Sequence, residues 1–187
     1  MAPVHTGMTM SLDGFVADRN GRTARLSDPA ASGGSAYMTE LIQATGAVVM
    51  GRRTFAMAED PDWYVGNYEF QVPIFVLTHT PPPVVPKQDE NLTFTFVTDG
   101  IESAIAQAKA AAGTRVVQAL GASVVRQVLR AGLADELQVD VAPVLLGAGL
   151  RLFDDPDLEG VALRKAGVRE VGTFTSLRFL VGEYRAS

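Results

Sequence analysis

The residues best suited to chemistry are Gly51, Arg52, Arg53 and Thr54, which follow one another directly. They come after the apolar run 47–50, which stops at a glycine and is typical of a buried strand. The sequence from Gly51 onward predicts a turn that opens into a helix. Backbone amides at a helix start and guanidinium groups both bind phosphate. The pattern therefore predicts an anion site, and an ordinary surface turn with solvated charges is the alternative.

Two further strand ends carry residues of the same kind. Thr78 and His79 stand at the carboxyl end of the apolar run 72–78, and a lone surface histidine is the alternative interpretation of His79. The strand 116–120 leads into a second glycine turn at the start of a helix, formed by Gly121, Ala122, Ser123 and Val124. In open α/β sheets, ligands collect outside the carboxyl ends of the strands. Three strand ends of this kind favour a single ligand-binding site along the carboxyl edge of the sheet.

Asp13 is the candidate catalytic residue. It stands just past the weak strand 4–10, in an Asp-Gly pair. A carboxylate there can orient a substrate or a proton-donating water. The alternative is a structural one, because aspartate before glycine commonly caps its own turn.

The elements that position these residues alternate between strand and helix. A helix over 37–45, closed by Gly46, precedes the strand 47–50, and the first strand is broken by Gly7. The later strands are expected over 72–78, 92–98, 116–120, 137–142 and 173–181, with 161–171 left as a strand pair or coil. The order predicts a three-layer α/β fold, with a mixed, mostly parallel central sheet, antiparallel C-terminal strands and helices on both faces. The aromatic segment 62–70 reads either as the wall of a ring-binding pocket or as a small satellite core.

Composition sets the outer limits. The 187 residues fit one domain over 1–187, with a formal net charge of -5, no cysteine and two histidines. These values disfavour nucleic acid or a membrane as partner, and they exclude thiolate metal sites and cysteine nucleophiles. No metal site is expected. Because no signal or spanning segment is recognised, the cytoplasm is the expected location. The chain lacks a convincing catalytic triad, so a borrowed cofactor is the natural source of reactivity.

Four motifs resemble a known family. They are SLDGF at 11–15, VVMGRRTF at 48–55, PIFVLTH at 73–79, and GLADEL with PVLLGAGLRLF within 132–153. The chain is similar to the dihydrofolate reductase-like family, and most closely to the reductase domain of the bifunctional deaminase/reductase of riboflavin biosynthesis. The resemblance implies NADPH as cofactor and a homodimer. It implies that the pyrophosphate lies on the turns 51–54 and 121–124, and that the adenosine end lies near Thr78 and His79.

The resemblance also suggests an activity. We expect an NADPH-dependent reductase of a small heterocyclic substrate, of the 5-amino-6-(5-phosphoribosylamino)uracil reductase type. Asp13 would lie near the nicotinamide, in a pocket walled by Phe15, Met57 and Trp63, and Arg151 is the candidate for a substrate phosphate. The alternatives are a non-catalytic nucleotide-binding or interaction protein on the same fold and a divergent dihydrofolate reductase.

Two positions depart from the family pattern. Leu120 stands where the family often has the first of two adjacent glycines, so its side chain would crowd the cofactor or shift the turn. Dihydrofolate reductase proper also carries an acid on the helix before the strand 48–50. The corresponding positions here are Ser35, Ala36 and Tyr37, and Glu40 comes a turn too late. Reduction of dihydrofolate itself is therefore not expected.

Overall fold

The computed structural model describes residues 1–27 and 36–182. Within them the strands are β1 (Val4–Ser11), β2 (Phe15–Ala17), β3 (Thr45–Gly51), β4 (Ile74–Leu77), β5 (Phe94–Val97), β6 (Val116–Leu120), β7 (Glu136–Ala142), β8 (Leu150–Arg151), β9 (Ala162–Val171) and β10 (Phe174–Gly182). The helices are α1 (Ala36–Ala44), α2 (Arg52–Phe55), α3 (Tyr64–Asn67), α4 (Ile101–Ala112) and α5 (Ala122–Arg130).

Eight of these strands form one sheet in the order β5-β4-β3-β6-β1-β7-β10-β9, and β2 with β8 forms a separate ribbon. The pairings from β5 across to β7 are all parallel. β10 runs antiparallel to β7, and β9 antiparallel to β10. The prediction of a mostly parallel sheet with antiparallel C-terminal strands is confirmed.

Side chains of β3 alternate between two apolar layers. Ala47 and Val49 join the larger core, in which α4 and α5 pack on the sheet. Val48 and Met50 point to the opposite face and join a second core. Because β3 has parallel neighbours on both sides and a layer on each face, every residue from Ala47 to Met50 is buried. The three-layer arrangement follows from this alternation.

The second core is largely aromatic. The Phe55 and Tyr64 rings stack with centroids 5.5 Å apart, and Phe94 meets both rings edge-on. The Tyr64 hydroxyl donates to the Phe55 carbonyl oxygen at 3.0 Å. For Tyr64, the satellite-core interpretation of the segment 62–70 is therefore the correct one, and this core fixes the end of α2.

Two glycine predictions are wrong. Gly7 does not break β1 but lies inside it, where an added Cβ would stand 1.8 Å from the Gln138 carbonyl oxygen. Gly46 does not close α1, because the helix ends at Ala44 and Gly46 belongs to β3. An added Cβ there would meet Arg115 and Ala112 at 2.7–2.9 Å. Both glycines serve close packing rather than chain reversal.

The segment 161–171, which the sequence leaves open, is mostly the ten-residue strand β9. It lies at the edge of the sheet, and nearly all of its residues are exposed or half-buried. An edge strand that buries neither face has no reason to alternate apolar and polar residues, so the usual strand signal is weak.

Candidate active site

Two strand-to-helix turns meet at the carboxyl edge of the sheet. β3 and β6 are parallel neighbours with Met50 opposite Leu120, so the residues that follow each strand emerge side by side. The first turn, 51–54, is made of the N-cap Gly51 and the start of α2, and the second, 121–124, of the N-cap Gly121 and the start of α5. We call them the first and second turn below.

The two turns are in direct contact. Gly121 has φ +96°, a conformation that side-chain-bearing residues rarely adopt. A Cβ on Gly121 would lie 2.3 Å from Thr54 Oγ1, and a Cβ on Gly51 would lie 3.6 Å from Val124 Cγ2. Only a glycine at position 121 lets the turns close on each other. The two backbones therefore form one continuous surface.

This surface has groups that suit an anion. Gly121 caps the start of α5 without a side-chain hydrogen bond, so no capping side chain occupies the first amides of that helix. Arg52 and Arg53 are exposed, and within residues 1–27 and 36–182 neither has an ion-pair partner. Ala122 and Val124 are buried, and the Ser123 hydroxyl accepts from Gln127 Nε2 at 3.0 Å. Backbone and arginines, rather than these side chains, are available to a ligand.

Thr78 and His79 follow β4, the neighbour of β3. The Thr78 side chain is buried, and its hydroxyl donates to the Thr80 carbonyl oxygen at 2.9 Å and accepts from the Thr80 amide at 3.2 Å. His79 is exposed. Thr78 thus shapes the loop after β4, and His79 is the accessible member of the pair.

Asp13 is held by a set of hydrogen bonds that joins two loops. Its Oδ1 accepts from Ser11 Oγ at 2.6 Å and from the Leu146 amide at 3.1 Å. Its Oδ2 accepts from the Gly147 amide at 2.7 Å. The carboxylate thereby ties the loop after β1 to the loop after β7. We call this arrangement the Asp13 clamp.

The clamp fixes the charge state of the carboxyl group. Hydrogen bonds from Ser11 first, and from the Leu146 and Gly147 amides, lower the pKa of Asp13 to about 2. At neutral pH the group is a carboxylate, with no proton to give. It can orient a neighbouring group or a water molecule, but it cannot serve as a general acid.

The four residues expected to bind the substrate fall into two groups. Phe15 and Arg151 lie together, because the Arg151 guanidinium stands 4.5 Å over the Phe15 ring and also donates to the Asp13 carbonyl oxygen at 3.4 Å. Phe15 is buried under this arginine. Trp63 is 47% exposed and meets Tyr64 edge-on at 5.9 Å, and Met57 is 65% exposed. Only the first group belongs to the clamp.

The two departures from the family pattern also have structural counterparts. Leu120 is half-buried and packs against the aromatic core. Ser35 lies outside the described residues, while Ala36 and Tyr37 open α1, and the Tyr37 hydroxyl accepts from Gln138 Nε2. Glu40 pairs with Arg169 at 3.5 Å. The described first turn of α1 therefore carries no carboxylate of the dihydrofolate reductase type.

The sequence did not single out Ser11 or the amides of Leu146 and Gly147. Ser11 bridges the clamp, since its hydroxyl donates to Asp13 and accepts from the Phe15 amide at 2.9 Å. The spacing Ser-x-Asp-Gly is a local signal for such a turn. The amides come from a loop more than a hundred residues away, and no local pattern predicts that contact.

In the part of the chain that the structure describes, no three histidine, aspartate or glutamate side chains are grouped so that they could hold a metal ion. No helix among these residues is long and apolar enough to cross a membrane.

The fold and the two touching turns define a domain of the dihydrofolate reductase-like class. Residues 3–177 match the family described as the RibD C-terminal domain, and the chain belongs to that family. A curated relative, the uncharacterized protein YwjB of Bacillus subtilis, is 28% identical over 174 residues, which cover 92% of this chain and 94% of YwjB.

Solved structures show the same fold. A protein of Shewanella sp. PV-4 assigned to riboflavin biosynthesis superposes with a TM-score of 0.77 at 23% identity, covering 98% of this chain and all of the other. The deaminase/reductase of Thermotoga maritima gives 0.71 at 15% identity, covering 97% of this chain and 57% of that protein. The riboflavin biosynthesis reductase Rib7 of Saccharomyces cerevisiae gives 0.61 at 16% identity, covering 97% and 89%.

Proposed function

We propose that this protein is an NADPH-dependent reductase of a small heterocyclic substrate. The observation that carries the proposal is the contact between Gly121 and Thr54, which joins two anion-binding turns into one surface. A dinucleotide has two adjacent phosphates, and a surface with two neighbouring turns offers amides to both. Membership of the RibD C-terminal domain family supports the assignment.

Each part of the cofactor has a candidate partner. The pyrophosphate would lie on the first and second turns, with Arg52 and Arg53 as cations beside it. The adenosine end would reach the loop after β4, where His79 is exposed and Thr78 shapes the backbone. Leu120 packs against the aromatic core, which supports a turn whose backbone remains open to the phosphates.

The substrate would lie beside the Asp13 clamp. When bound, NADPH would supply the hydride that reduces the substrate. Asp13 remains a carboxylate and orients the substrate or a water that delivers the proton. Arg151, stacked on Phe15, offers a cation for a substrate phosphate, while Met57 and Trp63 would form the outer wall. The Thermotoga relative is named as a 5-amino-6-(5-phosphoribosylamino)uracil reductase, and a ribosylated pyrimidine is our first candidate substrate.

A titration with NADPH and NADH, followed by nicotinamide fluorescence, tests the cofactor. We expect saturable binding with a clear preference for NADPH. Replacing both arginines, Arg52→Glu with Arg53→Glu, should weaken NADPH binding at least about tenfold, because two cations near the phosphates become anions. Lys109→Glu is the control, since Lys109 lies in the last turn of α4, outside both turns and outside β9. Equal affinity in all three proteins would contradict the proposal.

A non-catalytic nucleotide-binding protein is the second candidate. It is favoured by the clamp itself, because the Asp13 oxygens are already engaged by three donors that serve the fold. Consumption of NADPH distinguishes a reductase from a non-catalytic nucleotide-binding protein. A reductase oxidises NADPH in the presence of 5-amino-6-(5-phosphoribosylamino)uracil, whereas a non-catalytic protein binds NADPH without consuming it.

We further propose that the protein works as a cytoplasmic homodimer. β9 is an edge strand that exposes Leu163 and Val168, and a second copy could cover these side chains. Light scattering should give about twice the chain mass of 19.9 kDa. Leu163→Lys should return the monomer mass, and an unchanged monomer mass in the natural protein would exclude the dimer.

A further inference from the structure

Arg126 of α5 contacts strand β8 at the candidate phosphate-binding residue. Its Nη1 donates to the Arg151 carbonyl oxygen at 3.4 Å and also to the Asp154 carboxylate. The Arg126 side chain is 21% exposed, whereas that of Arg130, one turn further along α5, is 49% exposed. Water therefore screens the contacts of Arg126 less. One side chain joins the helix that begins at the second turn to the strand that carries Arg151.

β8 depends on such contacts because it is short. It consists of two residues, Leu150 and Arg151, and pairs with β2 in a ribbon separate from the main sheet. The next residue, Leu152, is fully buried, and its amide donates to the Gly14 carbonyl oxygen at 3.1 Å. Leu152 thus ties β8 to the loop after β1, and Arg126 ties it to α5. The backbone of Arg151 is held between these two contacts.

An acidic segment follows β8 directly. Four carboxylates stand within eight residues of Arg151, at Asp154, Asp155, Asp157 and Glu159. A carboxylate beside a guanidinium competes with phosphate, because both anions accept the same paired hydrogen bonds. Asp154 is the nearest of the four in sequence, and Arg126 binds it. Arg130 binds two of the others, Asp155 at 3.3 Å and Asp157 at 3.7 Å.

The Arg151 guanidinium is consequently left without an acid. Among residues 1–27 and 36–182 it forms no ion pair with a carboxylate. Instead it lies 4.5 Å over the Phe15 ring and donates to the Asp13 carbonyl oxygen at 3.4 Å. Both contacts are with neutral groups, so the positive charge of Arg151 remains available to an anion in the candidate substrate site.

We propose that Arg126 is a positioning residue for a phosphate-bearing substrate. It fixes the Arg151 backbone to α5, and it also binds Asp154. The Arg151 guanidinium therefore keeps its place over Phe15 and its charge for the substrate phosphate. Because α5 begins at the second turn, Arg126 also sets how far the substrate phosphate lies from the cofactor site. This role rests on the proposed function, which assigns Arg151 to the substrate.

Ribose 5-phosphate is the probe, because it is the phosphate-bearing part of the candidate substrate and binds without a reaction. A titration of the full chain, followed by the Arg151 Nε–H signal in NMR spectra, should show saturable changes. Arg126→Gln should weaken this binding at least about tenfold, because β8 loses its tie to α5 and Asp154 loses its partner. Arg130→Gln is the matched control in the same helix. It should change the affinity by less than about twofold, since Arg130 binds acids further along the chain from Arg151.

A comparison of two substrates separates positioning from a general loss of stability. With NADPH and 5-amino-6-(5-phosphoribosylamino)uracil, Arg126→Gln should raise KM and leave kcat nearly unchanged. A phosphate contact that is the same in the ground state and the transition state changes binding alone. The KM for the same substrate without its phosphate group should be equal in the natural protein and in Arg126→Gln. A rise in KM for both substrates would contradict the positioning role.

Arg126→Lys keeps a cation beside Asp154 without the fork of a guanidinium, so its affinity for ribose 5-phosphate should lie between those of the natural protein and Arg126→Gln. It is the informative variant if Arg126→Gln does not fold. Absence of a saturable change at Arg151, natural affinity in the variant that is used, or an equal loss in Arg130→Gln would overturn the proposal. Binding of ribose 5-phosphate that depends on Arg126, without consumption of NADPH, would contradict the reductase and support the positioning role. Turnover with an unchanged KM in Arg126→Gln would do the reverse.

Discussion

Thr54 Oγ1 occupies the space that a side chain at Gly121 would need, 2.3 Å from the position of its Cβ. The two residues belong to turns that follow neighbouring parallel strands, and their contact makes one surface of two helix starts. Position 121 must therefore be a glycine, because the Thr54 hydroxyl fills the space that a larger residue would need.

Gly121→Ala should destabilise the protein by about 2–3 kcal/mol, because it adds both an unfavourable backbone conformation and a collision with Thr54. Urea unfolding measures the loss. Gly132→Ala is the control for the backbone alone: Gly132 also has positive φ, at +65°, but nothing lies within 4 Å of its Cβ position. It should cost about 1–2 kcal/mol. Adding Thr54→Ala to Gly121→Ala should recover part of the loss, and no recovery would show that the contact is unimportant.

Asp13→Asn should loosen the loop after β7. The asparagine side chain has a single acceptor oxygen, so the amides of Leu146 and Gly147 cannot both keep their partners. Hydrogen exchange at Gly147 should become at least about tenfold faster. Asp18→Asn is the matched control, since the donors that Asp18 has among the described residues are the nearby Asn20 and Arg22 amides. Unchanged exchange at Gly147 would mean that the clamp does not hold this loop.

Stability should fall in acid through the same carboxyl group. The pKa of Asp13 is about 2 in the folded chain and about 4 in an unfolded one, so the folded state binds the proton less well. The contribution of Asp13 is fully present above about pH 4 and is lost as the pH falls toward 2. Urea midpoints of the natural protein and Asp13→Asn, measured from pH 5 to pH 2, should therefore converge. If the difference between the two urea midpoints did not change with pH, the effect of Asp13→Asn would come from packing and not from the charge of Asp13.

Tyr64→Phe should destabilise the aromatic core by about 1 kcal/mol. The substitution keeps the stacked ring but removes the hydroxyl that donates to the Phe55 carbonyl oxygen. Thermal unfolding measures the change, and Tyr68→Phe is the comparison, because Tyr68 meets Tyr64 edge-on in the same core. Equal stability of Tyr64→Phe and the natural protein would show that water satisfies the Phe55 carbonyl group.

The parts of the fold that the sequence predicts well are those with a local cause. The strand 116–120 and the helix after Gly121 are confirmed, because an apolar run ends at a glycine and an amphipathic stripe follows it. The parallel order follows from the alternation of strands and helices. The sequence leaves the segment of β9 open between a strand pair and coil because its residues are exposed, and the prediction for Gly46 is wrong because close packing and helix termination both use glycine.

The candidate site was predictable only in part for the same reason. The Gly-Arg-Arg-Thr sequence predicts the first turn, and Asp13-Gly14 predicts a turn after β1. The partners of Asp13 in the loop after β7 are 133 and 134 residues away, and nothing near Asp13 indicates them.

The position of β1 at the centre of the sheet has a consequence for how the chain folds. β1 is made before β6 and β7, yet it pairs with both, and the hydrogen bond from Thr6 to Ala119 spans 113 residues. On the ribosome the strand has neither neighbour until most of the chain has been synthesised. Such long-range closure slows folding, so the clamp forms late and β1 remains unpaired until then. We expect newly made chains to depend on chaperones until β7 emerges.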